Sequence, residues 1–175
     1  MALYVGLWRG INVGRAKRIG MADLRAALAD AGAGSPRTLL ASGNAVFTAA
    51  IAPGRLAAAI RAAVARRTGV DARVTLRTAA EFLEALAENP FAGAATPERT
   101  LIGFAADAAT LARVKALAKQ DWHPERLSVT KRAVHLACPN GISAGALAEA
   151  VYAAAGDTLT LRNRATAAKL AAMLE

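Results

Sequence analysis

Arg9, Asn12 and Gly14, and further along Ser42, Gly43 and Asn44, are the residues whose types and spacing could do chemistry. They fall in two short polar runs, Arg9-Gly10-Ile11-Asn12-Val13-Gly14 and Ser42-Gly43-Asn44. An arginine offers a planar pair of donors to a carboxylate or phosphate, and Asn and Ser add neutral donors and acceptors. Glycines let a ligand approach backbone N–H groups, which cradle an anion where a loop enters a helix. The chemistry so assembled is recognition of an anion. It is not the phosphate loop of nucleotide hydrolases, because no Gly-Lys-Ser/Thr follows at the required spacing. Nor is it a dinucleotide fingerprint, for no parallel βαβ unit with an acid at its second strand end is evident. A plainer role stands beside this one: the glycines can hold positive φ, and Asn12 and Asn44 can close their own loops through Asx turns.

The elements that must position these residues follow from periodicity. Residues 2–8 alternate, with Leu3, Val5 and Leu7 on one face and Tyr4, Gly6 and Trp8 on the other, and read as a strand. Met21–Ala31 reads as an amphipathic helix stopped by Gly32 and Gly34. Thr38–Ala41 and Ala45–Thr48 flank Ser42-Gly43-Asn44 as a hairpin. Pro53 opens a helix to about Thr68, with Leu56, Ile60 and Val64 in its stripe, and Ala72–Arg77 is a further strand. The order is βαββαβ. With right-handed crossovers it gives a four-stranded antiparallel sheet with strands 1 and 3 central. The exit of strand 1 and the strand 2–3 hairpin then lie at the same end of the sheet. Topology therefore predicts that the two polar runs meet.

The pattern repeats. Glu81–Glu88 reads as a connecting helix closed by Asn89-Pro90. Thr100–Ala105 is a strand, Ala109–Lys119 a helix, and Leu127–Thr130 with Ala133–Cys138 a hairpin turning at Lys131-Arg132. A helix over Ser143–Ala155 capped by Ser143, a strand over Asp157–Leu161 and a last helix near Arg164–Leu174 complete it. The expected fold is α+β: two tandem βαββαβ (ferredoxin-like, α/β-plait) subdomains with a C-terminal helix, a duplication of fold and not of sequence. The divisions are 1–78, a connecting helix and loop over 79–98, and 99–175.

Charge divides unevenly between them. Residues 1–78 hold twelve Lys and Arg against three Asp and Glu, a surplus of nine, while residues 79–175 hold ten of each. The whole net charge of +9 thus sits on the first half. Such a surplus favours anionic partners: nucleic acid, or a phosphorylated or carboxylated small molecule. Seventeen of the 22 basic residues are Arg in an Ala-rich chain, so composition alone also accounts for a solvated basic surface. The run Arg15-Ala16-Lys17-Arg18 reads as a solvated loop that would touch backbone phosphate if nucleic acid binds. No apolar window approaches a membrane span, no signal peptide is read, and the lone Cys138 suits a reducing cytoplasm. A membrane partner is not expected, and nothing specifies an oligomeric state.

Two resemblances follow. Leu3-Tyr4-Val5-Gly6-Leu7 resembles the first-strand motif of RNA-recognition modules, in which aromatics on strands 1 and 3 stack bases. Here Phe47 would be the partner of Tyr4, but Ser42-Gly43-Asn44-Ala45-Val46-Phe47 carries one aromatic only, and the face of Tyr4, Trp8 and Phe47 is expected to be buried against the second half. The wider resemblance spans nearly the whole chain. Tyr4…Leu7-Trp8-Arg9-Gly10-Ile11-Asn12-Val13-Gly14, Met21…Leu24, Ser42-Gly43-Asn44-Ala45-Val46-Phe47, Asn89-Pro90-Phe91, Cys138-Pro139-Asn140-Gly141 and Arg162-Asn163…Thr166…Lys169-Leu170 are similar to the bacterial domain-of-unknown-function family 1697. That resemblance implies two α/β-plait subdomains and brings no activity. Arg15 stands where the family usually has a second glycine, and Ile142-Ser143-Ala144-Gly145-Ala146 replaces a more polar run.

Arg162, Asn163, Thr166 and Lys169 form a secondary candidate group, for which the capping pattern of Asn163 and Thr166 favours a structural role. His123, His135 and Cys138 have no metal-ligand spacing, so neither a metal nor a cofactor is expected. His135 alternates with Val134 and Leu136 as an interior or surface strand residue. No acid–base pair joins the anion-binding residues, which leans against an enzyme. The competing readings are an enzyme acting on a small anionic metabolite with Arg9 as anchor, and a scaffold whose polar loops only hold parts together.

Overall fold

The computed structural model describes residues 1–93 and 96–175. The chain divides into two compact units, Met1–Phe82 with Leu170–Glu175, and Leu83–Lys169. In the first, β1 (Ala2–Trp8), α1 (Met21–Asp30), β2 (Gly34–Thr38), β3 (Asn44–Ala49), α2 (Pro53–Thr68) and β4 (Val74–Thr78) follow one another. The sheet order is β2-β3-β1-β4, all neighbours antiparallel. Strands 1 and 3 are central, as the crossover rule requires.

The core of this unit joins the sheet to its two helices. Tyr4, Trp8 and Phe47 pack with Leu24 and Leu28 of α1 and Leu56, Ile60 and Val64 of α2, each nearly inaccessible. Tyr4 and Phe47 lie stacked with centroids 6.1 Å apart. These aromatics therefore cover the helices of their own unit. The expectation that they face the second half is corrected, and no open stacking face for bases remains at Tyr4 and Phe47. Helix formation on this scale comes from burying such a stripe rather than from propensity. Gly69, at φ 70, ends α2 where its N–H returns to the Ala65 carbonyl.

One strand moved. The hairpin's first arm was expected over Thr38–Ala41, yet β2 ends at Thr38 and Leu39–Gly43 form the loop. Pro36 within β2 hides it from a pattern search, because proline breaks a ladder. An edge strand with a register shift between Gly34 and Arg37 tolerates it.

The second unit repeats the order with β5 (Thr100–Ala105), α4 (Ala108–Lys115), β6 (Arg126–Val129), β7 (Val134–Ala137), α5 (Leu147–Ala155) and β8 (Leu159–Asn163). Its sheet runs β6-β7-β5-β8. Leu101, Val134, Leu136, Leu147, Val151 and Leu159 form its core. A connecting helix, α3 (Ala79–Ala87), precedes it and α6 (Arg164–Ala172) follows β8. The fold is two tandem α+β units with four-stranded antiparallel sheets and a C-terminal helix. The expected Ser143 cap is corrected: α5 begins at Leu147, Ser143 is exposed, and the Leu147 N–H donates instead to Glu125 Oε2 at 3.0 Å. A carboxylate from a neighbouring segment satisfies the orphan donor, a long-range cap that local spacing cannot announce.

Candidate functional site

Twelve residues, Arg9 to Gly20, connect β1 to α1, and Asn12 organises them. Its backbone N–H donates to the Lys17 carbonyl at 3.0 Å, closing the intervening residues into a small lobe. Its side-chain Nδ2 donates to the Ile19 carbonyl at 2.9 Å and the Ala41 carbonyl at 2.8 Å, and Oδ1 accepts the Ile19 N–H at 2.8 Å. The residue sits at φ 56, a left-handed conformation that Asn adopts more readily than most. One side chain thus shuts the loop and fastens it to the β2–β3 connection.

The other run completes the fastening. The Trp8 N–H donates to the Gly43 carbonyl at 2.9 Å. Gly43 has φ 86, and a Cβ there would stand 2.7 Å from both Trp8 Cβ and Ile11 Cδ1, so only glycine fits this crossing. Asn44 is fully buried; its Nδ2 donates to the Leu39 carbonyl at 2.8 Å and to Ser42 Oγ at 3.2 Å. Ser42 itself is exposed. The two polar runs do meet at one end of the sheet, as topology required. For Asn12 and Asn44 the hydrogen bonds are those of loop closure, the plainer of the two roles expected of them.

What remains turned to solvent is cationic. Val13 to Arg18 are exposed without interruption, and Arg9 is half-exposed. Gly10 and Gly14 bracket Asn12 at φ 70 and 62. The side chains of Arg15, Lys17 and Arg18 make no ion pair or hydrogen bond among the described residues. Four other arginines of this unit are matched, while Arg55 and Arg66 on α2 are exposed like those of the lobe: Arg67 meets Asp30 at 2.8 Å, Arg61 meets Asp71, Arg25 donates to Thr38 Oγ1 at 2.8 Å, and Arg37 donates to the Met173 carbonyl. The hydrogen bond from Arg61 holds the Asp71 carboxyl below its usual range, with Lys17 a lesser contribution. The sequence had marked the basic run as a solvated loop; its signal was the three charges in four residues. What no local pattern revealed is that Asn12 holds that run in a closed lobe.

The secondary group lies at the start of α6. Asn163 Oδ1 accepts the Thr166 N–H at 2.8 Å, an N-cap. Arg162 donates to the Leu161 carbonyl at 2.8 Å, and burial pushes its guanidinium down to about 10. Lys169 is exposed. The same arrangement recurs at the end of β4. There Arg77 donates to the Leu76 carbonyl at 2.7 Å, burial lowers its guanidinium too, and Thr78 and Glu81 cap α3 reciprocally at 2.9 and 3.2 Å. Thr75-Leu76-Arg77-Thr78 and Thr160-Leu161-Arg162-Asn163 are thus a short sequence echo of the duplication, which the sequence reading missed.

In the second unit His135 is inaccessible, with Nε2 3.5 Å from Thr130 Oγ1 and Nδ1 without a partner among the described residues. Burial pushes its imidazole down to about 4. Cys138 is buried, and burial first, then the neighbouring Glu125, push its thiol up to about 12, which keeps it protonated and unreactive. Among the described residues no three His, Cys, Asp or Glu gather as metal ligands, and no helix is long and apolar enough to cross a membrane.

Comparison with known proteins adds two findings. The family model of Protein of unknown function (DUF1697) matches residues 1–135. Among solved structures, a conserved bacterial protein from Streptococcus pneumoniae, SP0830, is similar with a TM-score of 0.82 at 23% identity, covering 99% of each chain. That likeness carries the fold across nearly the full length. No curated protein matches the chain.

Proposed function

Since the chain belongs to the Protein of unknown function (DUF1697) family, whose name assigns no activity, we propose from its own geometry that the first unit binds a phosphate-bearing polyanion through the β1–α1 lobe. Arg15, Lys17 and Arg18 make the phosphate contacts, and Arg9 supplies a bidentate donor at the base of the lobe. Asn12, Gly14, Gly43 and Asn44 hold the lobe in shape, and Ser42 offers a hydroxyl at its edge. The observation that carries the reading is the combination of three exposed cations that make no hydrogen bond or ion pair among the described residues and a closed, side-chain-locked loop beneath them. An ordered cationic tip gives up little conformational freedom when a ligand arrives.

The ligand class follows from shape. Six consecutive exposed residues form a projection, not a recess. A projection with strung-out cations suits the backbone of a nucleic acid better than an enclosed metabolite, which needs concave walls. Val13, 69% exposed, and Leu40, 52% exposed, lie on the two fastened loops and offer apolar contact to sugars or bases. The reading calls for no reaction: recognition is electrostatic and independent of sequence.

A direct test titrates a fluorescently labelled single-stranded oligonucleotide with the wild type and with the Arg15→Ala/Lys17→Ala/Arg18→Ala variant at low salt. The variant should bind more than about tenfold more weakly while melting at the wild-type temperature. Equal affinity would reject the lobe as the binding element.

A further inference from the structure

We infer that the β1–α1 lobe selects unpaired nucleic-acid strands, with Val13 and Leu40 as an apolar seat for bases beside the cations; this rests on the polyanion reading above and names its ligand. Among the described residues five large apolar side chains stay exposed, Met1, Val13, Leu40, Leu83 and Ile142, and two of the five lie on the fastened loops. The bond that fastens those loops runs from Asn12 Nδ2 to the Ala41 carbonyl at 2.8 Å. Val13 and Leu40 are each one residue from an end of it. The cations begin shortly after Val13, at Arg15.

Leu40 is the sharper case. It has φ 58, a left-handed conformation that a branched side chain disfavours. Burial offers no return, since the residue is 52% exposed. Its neighbours hold it there. The Leu39 N–H donates to the Asn44 carbonyl at 2.9 Å, the Leu39 carbonyl accepts Asn44 Nδ2 at 2.8 Å, and the Ala41 carbonyl accepts Asn12 Nδ2. A solvated turn favours Gly, Asn or Asp at such a position. Here a clamped backbone presents an aliphatic side chain to solvent, and strain of this kind persists only where its surroundings over-determine it. Val13, 69% exposed, stands likewise between the locked Asn12 and Gly14 at φ 62.

The two side chains decide among polyanions. Inorganic polyphosphate meets the cations and leaves Val13 and Leu40 in water. A duplex turns its phosphates outward and stacks its base faces inward, so a phosphate-bound lobe finds no face of a base. An unpaired strand shows both: phosphates for Arg15, Lys17 and Arg18, and base faces for the aliphatic pair. The aromatic rings of this unit, Tyr4, Trp8, Phe47 and Phe82, are all buried. Contact with bases is therefore aliphatic, weaker than aromatic stacking and tolerant of sequence. An anionic lipid surface also combines charge with hydrocarbon, but stable anchoring there buries a whole apolar helix face or an acyl chain, and two aliphatic side chains fall short of that.

Fluorescence anisotropy of the full chain compares four probes of equal phosphate number: oligothymidylate, the same backbone without bases, a hairpin duplex and inorganic polyphosphate. Oligothymidylate should bind at least about fivefold more tightly than each of the other three. Val13→Ser/Leu40→Asn keeps every charge, and Asn accepts the left-handed backbone. This variant should lower thymidylate affinity to that of the base-free strand, with base-free affinity, salt slope and melting temperature unchanged. The wild-type comparison needs no variant and decides even if the double variant misfolds. Equal affinity for thymidylate and the base-free strand, equal or tighter duplex binding, or thymidylate affinity unaltered in a folded double variant would each overturn the inference and leave the polyanion reading standing. Tighter binding to phosphatidylglycerol vesicles than to thymidylate would assign the apolar pair to lipid and overturn it too. A wild type that binds none of the four probes would remove the polyanion reading itself, and this inference with it.

Discussion

At the same point of the same topology, the two units do different things. After its first strand the second unit uses Ala106 and Asp107 and is at once in a helix, with Asp107 accepting the Thr110 N–H at 2.7 Å as the cap. After β1 the first unit uses twelve residues, of which one is Asn locked by three side-chain hydrogen bonds and three are exposed cations with no hydrogen bond or ion pair among the described residues. The short connection proves that the fold itself needs only two residues there. The long one is therefore an addition, and ordered additions to a minimal connection are where function concentrates. The central strands differ similarly: Val5 pairs with Val46, whereas the matching Ile102 pairs with His135. The second unit has placed a titratable ring where the first has a hydrocarbon.

This contrast can be broken by substitution, and the strongest effect falls on the fastening of the lobe. Gly43→Ala combines a positive φ with a collision against Trp8 and Ile11, and should cost about 2–4 kcal/mol in denaturant unfolding. Next comes the buried histidine. Its pKa falls from the usual 6.5 to about 4 on folding, so above pH 6.5 both states are neutral. As pH falls from 6.5 towards 4 the unfolded chain takes up a proton that the folded chain refuses, and stability drops by about 2–3 kcal/mol. His135→Val, which copies the first unit, should remove that part of the acid sensitivity; an unchanged pH profile of melting would show that the ring is not its source. Glu88, the charged group acting on this ring, favours the protonated form and makes the drop smaller.

Asn12→Ala loses the three side-chain bonds that shut the lobe, at a cost of about 1–2 kcal/mol, and should weaken polyanion binding although Asn12 carries no charge. A variant that melts lower but binds as the wild type would separate lobe order from recognition. The smallest effect belongs to the minimal connection. Asp107→Ala removes one exposed cap and should lower the melting temperature by roughly 2–4 °C with no change in binding.

Much of this contrast was legible in the residues. The βαββαβ order came from strand alternation and helix stripes, and the meeting of the two polar runs came from crossover handedness alone. What escaped reading has physical causes. Pro36 disguised an edge strand, since propensity is judged without knowing that an edge can spare a donor. Ser143 looked like a cap because spacing is local, while Glu125 reaches Leu147 from a distant segment. Tyr4 and Phe47 fell on the helix-packed face, a choice that alternation leaves undecided because it marks two faces without saying which one the helices cover. For the candidate site, topology brought the two polar runs together, but the sharing of work between Asn12 and the cations beyond it depends on a hydrogen bond made across a separation of 29 residues, Asn12 to Ala41.

The salt dependence of single-strand binding tests the central claim most directly. With three to four phosphate contacts from the lobe, the logarithm of affinity should fall against the logarithm of salt with a slope of roughly −2 to −3. In the Arg15→Ala/Lys17→Ala/Arg18→Ala variant the slope should approach that of the residual surface charge, losing roughly two. Identical slopes for the two proteins would contradict the account, as would a wild type that binds no polyanion at low salt.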